Sequence, residues 1–152
     1  MHIHNFLNKE AVIVDLKSQN KQGILKELSE PVARFSGIDQ NDILKVLMER
    51  EHLGSTGIGN GIGIPHGKLK ALESMVLTFG LSRKGVDFES MDGRPAHIFF
   101  LLVTPENSAG LHLKLLAQLS RILKDDSFRK RLMNVCDSDE VIAIIREEEG
   151  SF

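Results

Sequence analysis

Tryptophan and tyrosine are absent from this 152-residue sequence, and cysteine occurs once, at Cys136. Stacking platforms for bases or sugars would have to come from the eight Phe, and these fall in runs that read as core. A single thiol excludes an internal disulfide and any zinc cage built from cysteines. Cys136 itself reads as buried packing rather than a redox centre. No apolar run approaches the roughly 20 residues that a membrane-spanning helix needs, so direct membrane insertion is not expected. Excess positive charge is missing too: 19 basic against 21 acidic residues give a net charge of −2. That balance offers no electrostatic reason to expect nucleic acid or an anionic membrane as partner. The opening MHIHNFLNKE lacks the basic-then-apolar layout of a signal peptide, and a cytoplasmic protein is expected. Repeats, low-complexity segments and linkers are absent, so residues 1–152 read as a single domain with length enough for a real core.

The apolar pattern predicts an α/β domain, a mixed and mostly buried sheet flanked by helices. AVIVDL (11–16) reads as a strand or strand-like entry. Ile24, Leu25, Leu28, Val32 and Phe35 recur at helical spacing, with Pro31 expected to kink or divide that helix and Gly37 to stop it. Asp39 is a candidate N-cap for a second helix, striped by Ile43, Leu44, Leu47 and Met48 and ending near Glu51. Strands are predicted at 75–82 and 97–103; the second is apolar on both faces and therefore central. Ser108 is a candidate cap for a helix from Ala109 to about Lys124. Two shorter helices follow, over DDSFRKRLMNV and SDEVIAIIREEE. The acidic residues that begin the 147–152 tail sit at a helix C-terminus, where the macrodipole disfavours them, and fraying is expected.

Scarcity gives way to abundance at residues 54–68, GSTGIGNGIGIPHGK, which hold six of the thirteen glycines. Neither phosphate-binding glycine motif fits. A Walker loop would need Gly where Ile62 stands and Ser or Thr where Leu69 stands; the dinucleotide fingerprint fails in every register. What remains is alternation, with Gly57, Gly59, Gly61 and Gly63 on one parity and Ile58, Asn60, Ile62, Ile64 and His66 on the other. As an extended strand this would have one greasy face and one of bare backbone, open to close approach. Pro65 has no N–H, so pairing is expected to stop there and leave His66 at a strand end.

A histidine presented between Pro65 and Gly67 suits nucleophilic work, because a neutral ring nitrogen can attack phosphorus and carry the phosphoryl group. Such transfer relies on donors around the phosphoryl oxygens. Arg50 offers a guanidinium fork, and the Gly67 N–H and Lys68 lie next door. The plainer alternative is that His66 merely ends a core strand and Arg50 is a solvated helix-end charge. Thr56 has a hydroxyl to donate, though a turn or strand role is equally open. His112, near the positive end of the helix after Ser108, is either an ordinary helix histidine or a partner for an incoming dianion.

LGSTGIGNGIGIPHGK, preceded by LMERE and followed by DGRPAHIFFLLVTPENSAGLHLKLLAQLSRIL, resembles the IIA domains of the fructose/mannitol class of the bacterial phosphotransferase system. The resemblance runs from about Asn5 to Glu148 and is strongest to the free-standing nitrogen-regulatory members. It implies a phosphotransferase working through a phosphohistidine, with His66 accepting a phosphoryl group on Nε2 from an HPr-like carrier. It implies also that His112 lies beside His66 and that Arg50 helps hold the phosphoryl group. Many relatives have alanine where this chain has Gly63, a small-for-small change. Signalling to potassium-transport or sensor-kinase partners is implied, or else relay to a IIB protein on another chain. No cofactor or metal is implied.

The remaining features are weaker. HIH at 2–4 has the spacing of a metal pair, but no third ligand is visible nearby and the terminus is expected to be mobile. His52 and His97 read as local capping or strand-edge residues. FRKRL (128–132) reads as a solvated basic face, with docking as the alternative. A metal hydrolase using His66 and His112 would need a third ligand at metal spacing, and the sequence offers none.

Overall fold

The computed structural model describes residues 2–150. In chain order the elements are β1 (Val12–Ile13), α1 (Lys21–Ser36), α2 (Gln40–His52), β2 (Gly57–Gly59), β3 (Ile62–Gly63), β4 (His66–Leu69), β5 (Val76–Val86), β6 (Ala96–Pro105), α3 (Ala109–Ile122), α4 (Asp126–Met133) and α5 (Ser138–Glu149). Short 3-10 turns at Ile3–Asn5 and Lys9–Ala11 precede them.

The organising element is β6. It turns Ile98, Phe100 and Leu102 to one side and Phe99, Leu101 and Val103 to the other, and all six are buried. Only a strand in the middle of a covered sheet can satisfy both faces. Accordingly β5 pairs antiparallel along one edge of β6, while β3 and β4 pair parallel along the other. β1 lies parallel outside β5 and β2 antiparallel outside β3, so the mixed six-stranded sheet runs β1-β5-β6-β3-β2, with β4 prolonging β3. One face packs under α3, α4 and α5 through Leu115, Leu119, Phe128 and Ile145. The other packs under α1 and α2 through Leu25, Leu28, Ile43 and Leu47. The expected α/β layering is what forms. Among the described residues no helix is long and apolar enough to cross a membrane.

Several local expectations hold. Gly37 closes α1 in the left-handed region at φ 76°, and the Asp39 carboxylate caps α2 by accepting from Asn41 N at 2.8 Å. Others are overturned. Helix α1 runs through Pro31 without being divided, with Leu28 and Val32 on either side of it buried in one core. Ser108 occupies the N-cap position of α3 but makes no side-chain capping bond. Cys136 is exposed, not buried. The two chain ends also hold each other in place. Glu149 is 6% exposed, and its carboxylate accepts from Ile3 N at 2.5 Å and His4 N at 2.9 Å. Those donors open a 3-10 turn, and their hydrogen bonds outweigh the unfavourable dipole at the end of α5. The expected fraying at Glu149 and mobility at His2–His4 therefore give way to a joined pair of ends; Ser151 and Phe152 lie outside the described residues.

The glycine run differs most from its linear reading. It is a hairpin, not one extended strand. Asn60 (φ 56°) and Gly61 (φ 78°) form its turn, the Asn-Gly signature of a tight hairpin. The fold-back breaks the parity argument: Ile58 is 41% exposed while Ile62 and Ile64 are buried. Nor does pairing end at Pro65. Ile62 faces Ile98 and His66 faces Leu102, so the register along β6 is unbroken across Ile64–Pro65. The Pro65 carbonyl still accepts from Leu102 N at 3.0 Å. His66 thus begins a strand rather than ending one.

Candidate functional site

Three elements converge on His66: the start of β4, the last turn of α2, and the first turn of α3. Helix α2 comes close because Gly67 has no side chain; a Cβ there would lie 2.8 Å from Val46 Cγ1. That approach puts Arg50 beside the histidine. The Arg50 Nε–H donates to His66 Nε2 at 3.3 Å, and its Nη1 donates to the Gly54 carbonyl at 2.9 Å, fixing the guanidinium plane. On the other ring nitrogen, His66 Nδ1 lies 2.8 Å from the Ile64 carbonyl oxygen. A carbonyl only accepts and a guanidinium only donates, so the proton resides on Nδ1 and the lone pair on Nε2. Burial lowers the His66 pKa below its ordinary value of 6.5; the Ile64 bond opposes this, Arg50 adds to the lowering and Glu51 opposes it. The ring is neutral at pH 7, with its nucleophilic nitrogen turned toward Arg50.

His112 is brought alongside, its ring centroid 5.3 Å from that of His66 and tilted by 60°. It is 5% exposed, and burial, the neighbouring His66 and Lys68 push its pKa down to about 4. Its Nδ1 lies 2.7 Å from Oγ1 of Thr104, a fully buried residue of β6. A buried hydroxyl needs an acceptor for its proton, and Nδ1 is the partner this one has. The hydroxyl therefore donates to Nδ1, leaving Nε2–H of His112 as a donor. Thr104 was not singled out in the sequence, where nothing local marks it; only the position of α3 over β6 does. Leu53, Leu113 and Leu116 rim the cleft, together with Val46, Glu49 and Lys68, and Leu53 and Leu113 are 85% and 67% exposed.

Thr56 does not reach this cleft. It is buried, its hydroxyl donates to Glu51 Oε2 and its N–H donates to Glu51 Oε1 at 3.1 Å. Glu51 in turn pairs with Lys21 Nζ at 2.9 Å, and Lys21 lies over the Phe88 ring at 4.9 Å. The Lys21–Glu51–Thr56 network anchors the entry to the hairpin from below, one residue away from Arg50. The sequence reading missed Glu51, whose partners lie 30 residues before it and 5 after it. Among the described residues no further His, Cys, Asp or Glu is placed to share a metal with His66 and His112.

Residues 5–148 match the family model described as phosphoenolpyruvate-dependent sugar phosphotransferase system, EIIA 2. A curated relative, the nitrogen regulatory protein of Bradyrhizobium diazoefficiens, is 37% identical over 145 residues, covering 95% of each chain. The crystal structure of nitrogen regulatory protein IIA-Ntr from Neisseria meningitidis superposes with a TM-score of 0.90 at 34% identity, over 94% of this chain and 98% of that one. The fold is shared also with enzyme IIAMTL of Escherichia coli, solved in complex with phosphorylated enzyme IIBMTL, at a TM-score of 0.79 and 21% identity over 93% and 97% of the two chains. The chain belongs to the EIIA 2 family of the phosphotransferase system, similar to the nitrogen-regulatory IIA proteins, and is a phosphocarrier domain of the kind that in general relays a phosphoryl group between proteins.

Proposed function

We propose that His66 accepts a phosphoryl group on Nε2 from an HPr-like histidine phosphocarrier and that the phosphorylation state is read by regulatory partners. The observation that carries this is the pair of contacts on the His66 ring, the Ile64 carbonyl 2.8 Å from Nδ1 and the Arg50 Nε–H donor 3.3 Å from Nε2, which assign the proton to Nδ1 and the lone pair to Nε2 at the cleft. In the transfer, Nε2 forms a bond to phosphorus as the bond to the donor's ring nitrogen breaks. The accepting ring becomes cationic and keeps its Nδ1–H, whose hydrogen bond to the Ile64 carbonyl stabilises that charge. Negative charge gathers on the equatorial phosphoryl oxygens, where Arg50 and the Nε2–H of His112 act as preorganised donors. Gly67 contributes by admitting α2 to the site. Thr56 acts at a distance, by holding Glu51 and the start of the hairpin. The exposed Leu53 and Leu113 give a carrier protein apolar contact around the reacting atom.

Nitrogen-linked regulation is the reading supported by similarity to the Bradyrhizobium and Neisseria nitrogen regulatory proteins, with potassium-linked targets and a cytoplasmic setting as its extension from the sequence resemblance. The second reading, relay from His66 to a IIB protein of the fructose/mannitol class on another chain, is supported by the family's description and by the IIAMTL–IIBMTL complex. Incubation with labelled phosphoenolpyruvate and the upstream phosphotransferase proteins should yield an acid-labile, base-stable adduct, absent from His66→Ala. Equal labelling of that variant would refute the assignment. Capture of partners with wild type and with His66→Asp separates the readings: different partner sets support switching, and identical sets count against it.

A further inference from the structure

A second cluster lies at the joined chain ends and shares no residue with the His66 cleft. His2 and His4 flank the carboxylate of Glu149, with ligand-capable atoms all within 4.8 Å of one another. His4 Nδ1 is 2.8 Å from Glu149 Oε1, and His2 Nδ1 is 3.7 Å from Oε2, beyond hydrogen-bond reach. The two imidazoles stack at 5.4 Å between centroids and 22° between planes. We propose that His2, His4 and Glu149 bind a divalent transition ion, with zinc as the best-fitting case.

Four features support it. The donor set is two imidazoles and one carboxylate, which suits zinc with water in the fourth position. Bond lengths near 2.1 Å in tetrahedral geometry put ligand atoms about 3.4 Å apart, and the 3.7 Å from His2 to Glu149 Oε2 and the 2.8 Å from His4 to Glu149 Oε1 lie on either side of that spacing. The carboxylate is preorganised, because the Ile3 and His4 backbone N–H groups hold it in place. Finally, the side chain of His2 is 53% exposed, which leaves an entry path from solvent. Binding requires the Nδ1 lone pair of His4, so any proton held there against the carboxylate must leave that nitrogen. The ion then clamps the first turn of the chain to the end of α5.

The inference stands independently of the phosphocarrier reading. Its test is zinc titration of the untagged full chain by calorimetry at pH 7.5, with cobalt(II) absorption as the report of tetrahedral nitrogen and oxygen ligation. One equivalent should bind, at least roughly tenfold more weakly in His2→Gln, and with unchanged affinity in His66→Gln. His2→Gln is the deciding variant because the His2 side chain caps nothing in the fold, whereas Glu149→Gln would disturb two backbone bonds. The melting temperature should rise with zinc in wild type and stay put in His2→Gln. Absence of binding at zinc concentrations of about 100 µM, binding indifferent to His2→Gln, or binding lost in His66→Gln would each overturn the proposal.

Discussion

Lowering the pH from 7 to 4 should weaken the fold through His112, and the size of the effect follows from its burial. The free imidazole titrates near 6.5, and in the fold burial and its neighbours hold this one down to about 4. Each tenfold change in proton affinity is worth about 1.4 kcal/mol, so the difference corresponds to roughly 3 kcal/mol. Between those two pH values the unfolded chain binds a proton that the folded chain refuses. Stability is therefore intact above about pH 6.5, falls progressively toward pH 4 and loses nothing further from this group below that. His66, whose pKa is also lowered by burial, acts in the same direction. Against a typical total of 5–15 kcal/mol, the loss is large enough to move a urea midpoint clearly. The assay is urea unfolding at half-unit pH steps for wild type and for His112→Gln, taking the difference between the curves so that carboxylate titrations cancel. The gap should shrink by roughly 3 kcal/mol as pH falls from 7 to 4. A gap that stays flat, or an imidazole resonance of His112 that titrates near 6.5, refutes the burial argument. Phosphorylation supplies a further check: a dianion on His66 should raise the His112 midpoint, visible in the same resonance.

Other perturbations probe the supports of the site. Thr104→Val removes the hydroxyl that sets the His112 tautomer and should slow phosphoryl uptake by on the order of tenfold with little loss of melting temperature; an unchanged rate would show that Nε2–H is no donor. Gly67→Ala forces Val46 aside and should cost about 1 kcal/mol in urea unfolding, with labelling reduced further than stability because Arg50 moves with α2. Glu51→Gln breaks the buried pair with Lys21 and should destabilise by about 3 kcal/mol in denaturant titration; a neutral result would place that pair in solvent.

Much of this architecture was legible in the order of residues. The doubly apolar stretch 97–103 marks a strand that needs cover on both faces, and β6 is the sheet's centre. Asp39 and Gly37 bound their helices by short-range hydrogen bonding, which sequence records directly. The hairpin is a different case. Its Asn60–Gly61 signal was present, but the regular Gly alternation around it reads equally well as one strand, and only the antiparallel pairing of β2 with β3 resolves the two.

By itself, then, the chain determined what depends on neighbours a few residues apart: helix periods, caps, the apolar run of β6, and a histidine framed by Pro65 and Gly67. Tertiary structure decided what depends on residues far apart in the chain. It put the Arg50 guanidinium on His66 Nε2, brought His112 alongside His66, and paired Lys21 with Glu51. It also brought Glu149 to His4, 145 residues away, turning an expected loose end into a buried carboxylate. Protonation, burial and hydrogen-bond partners are properties of packed neighbours, and the packing is what carries residues so distant in sequence into contact.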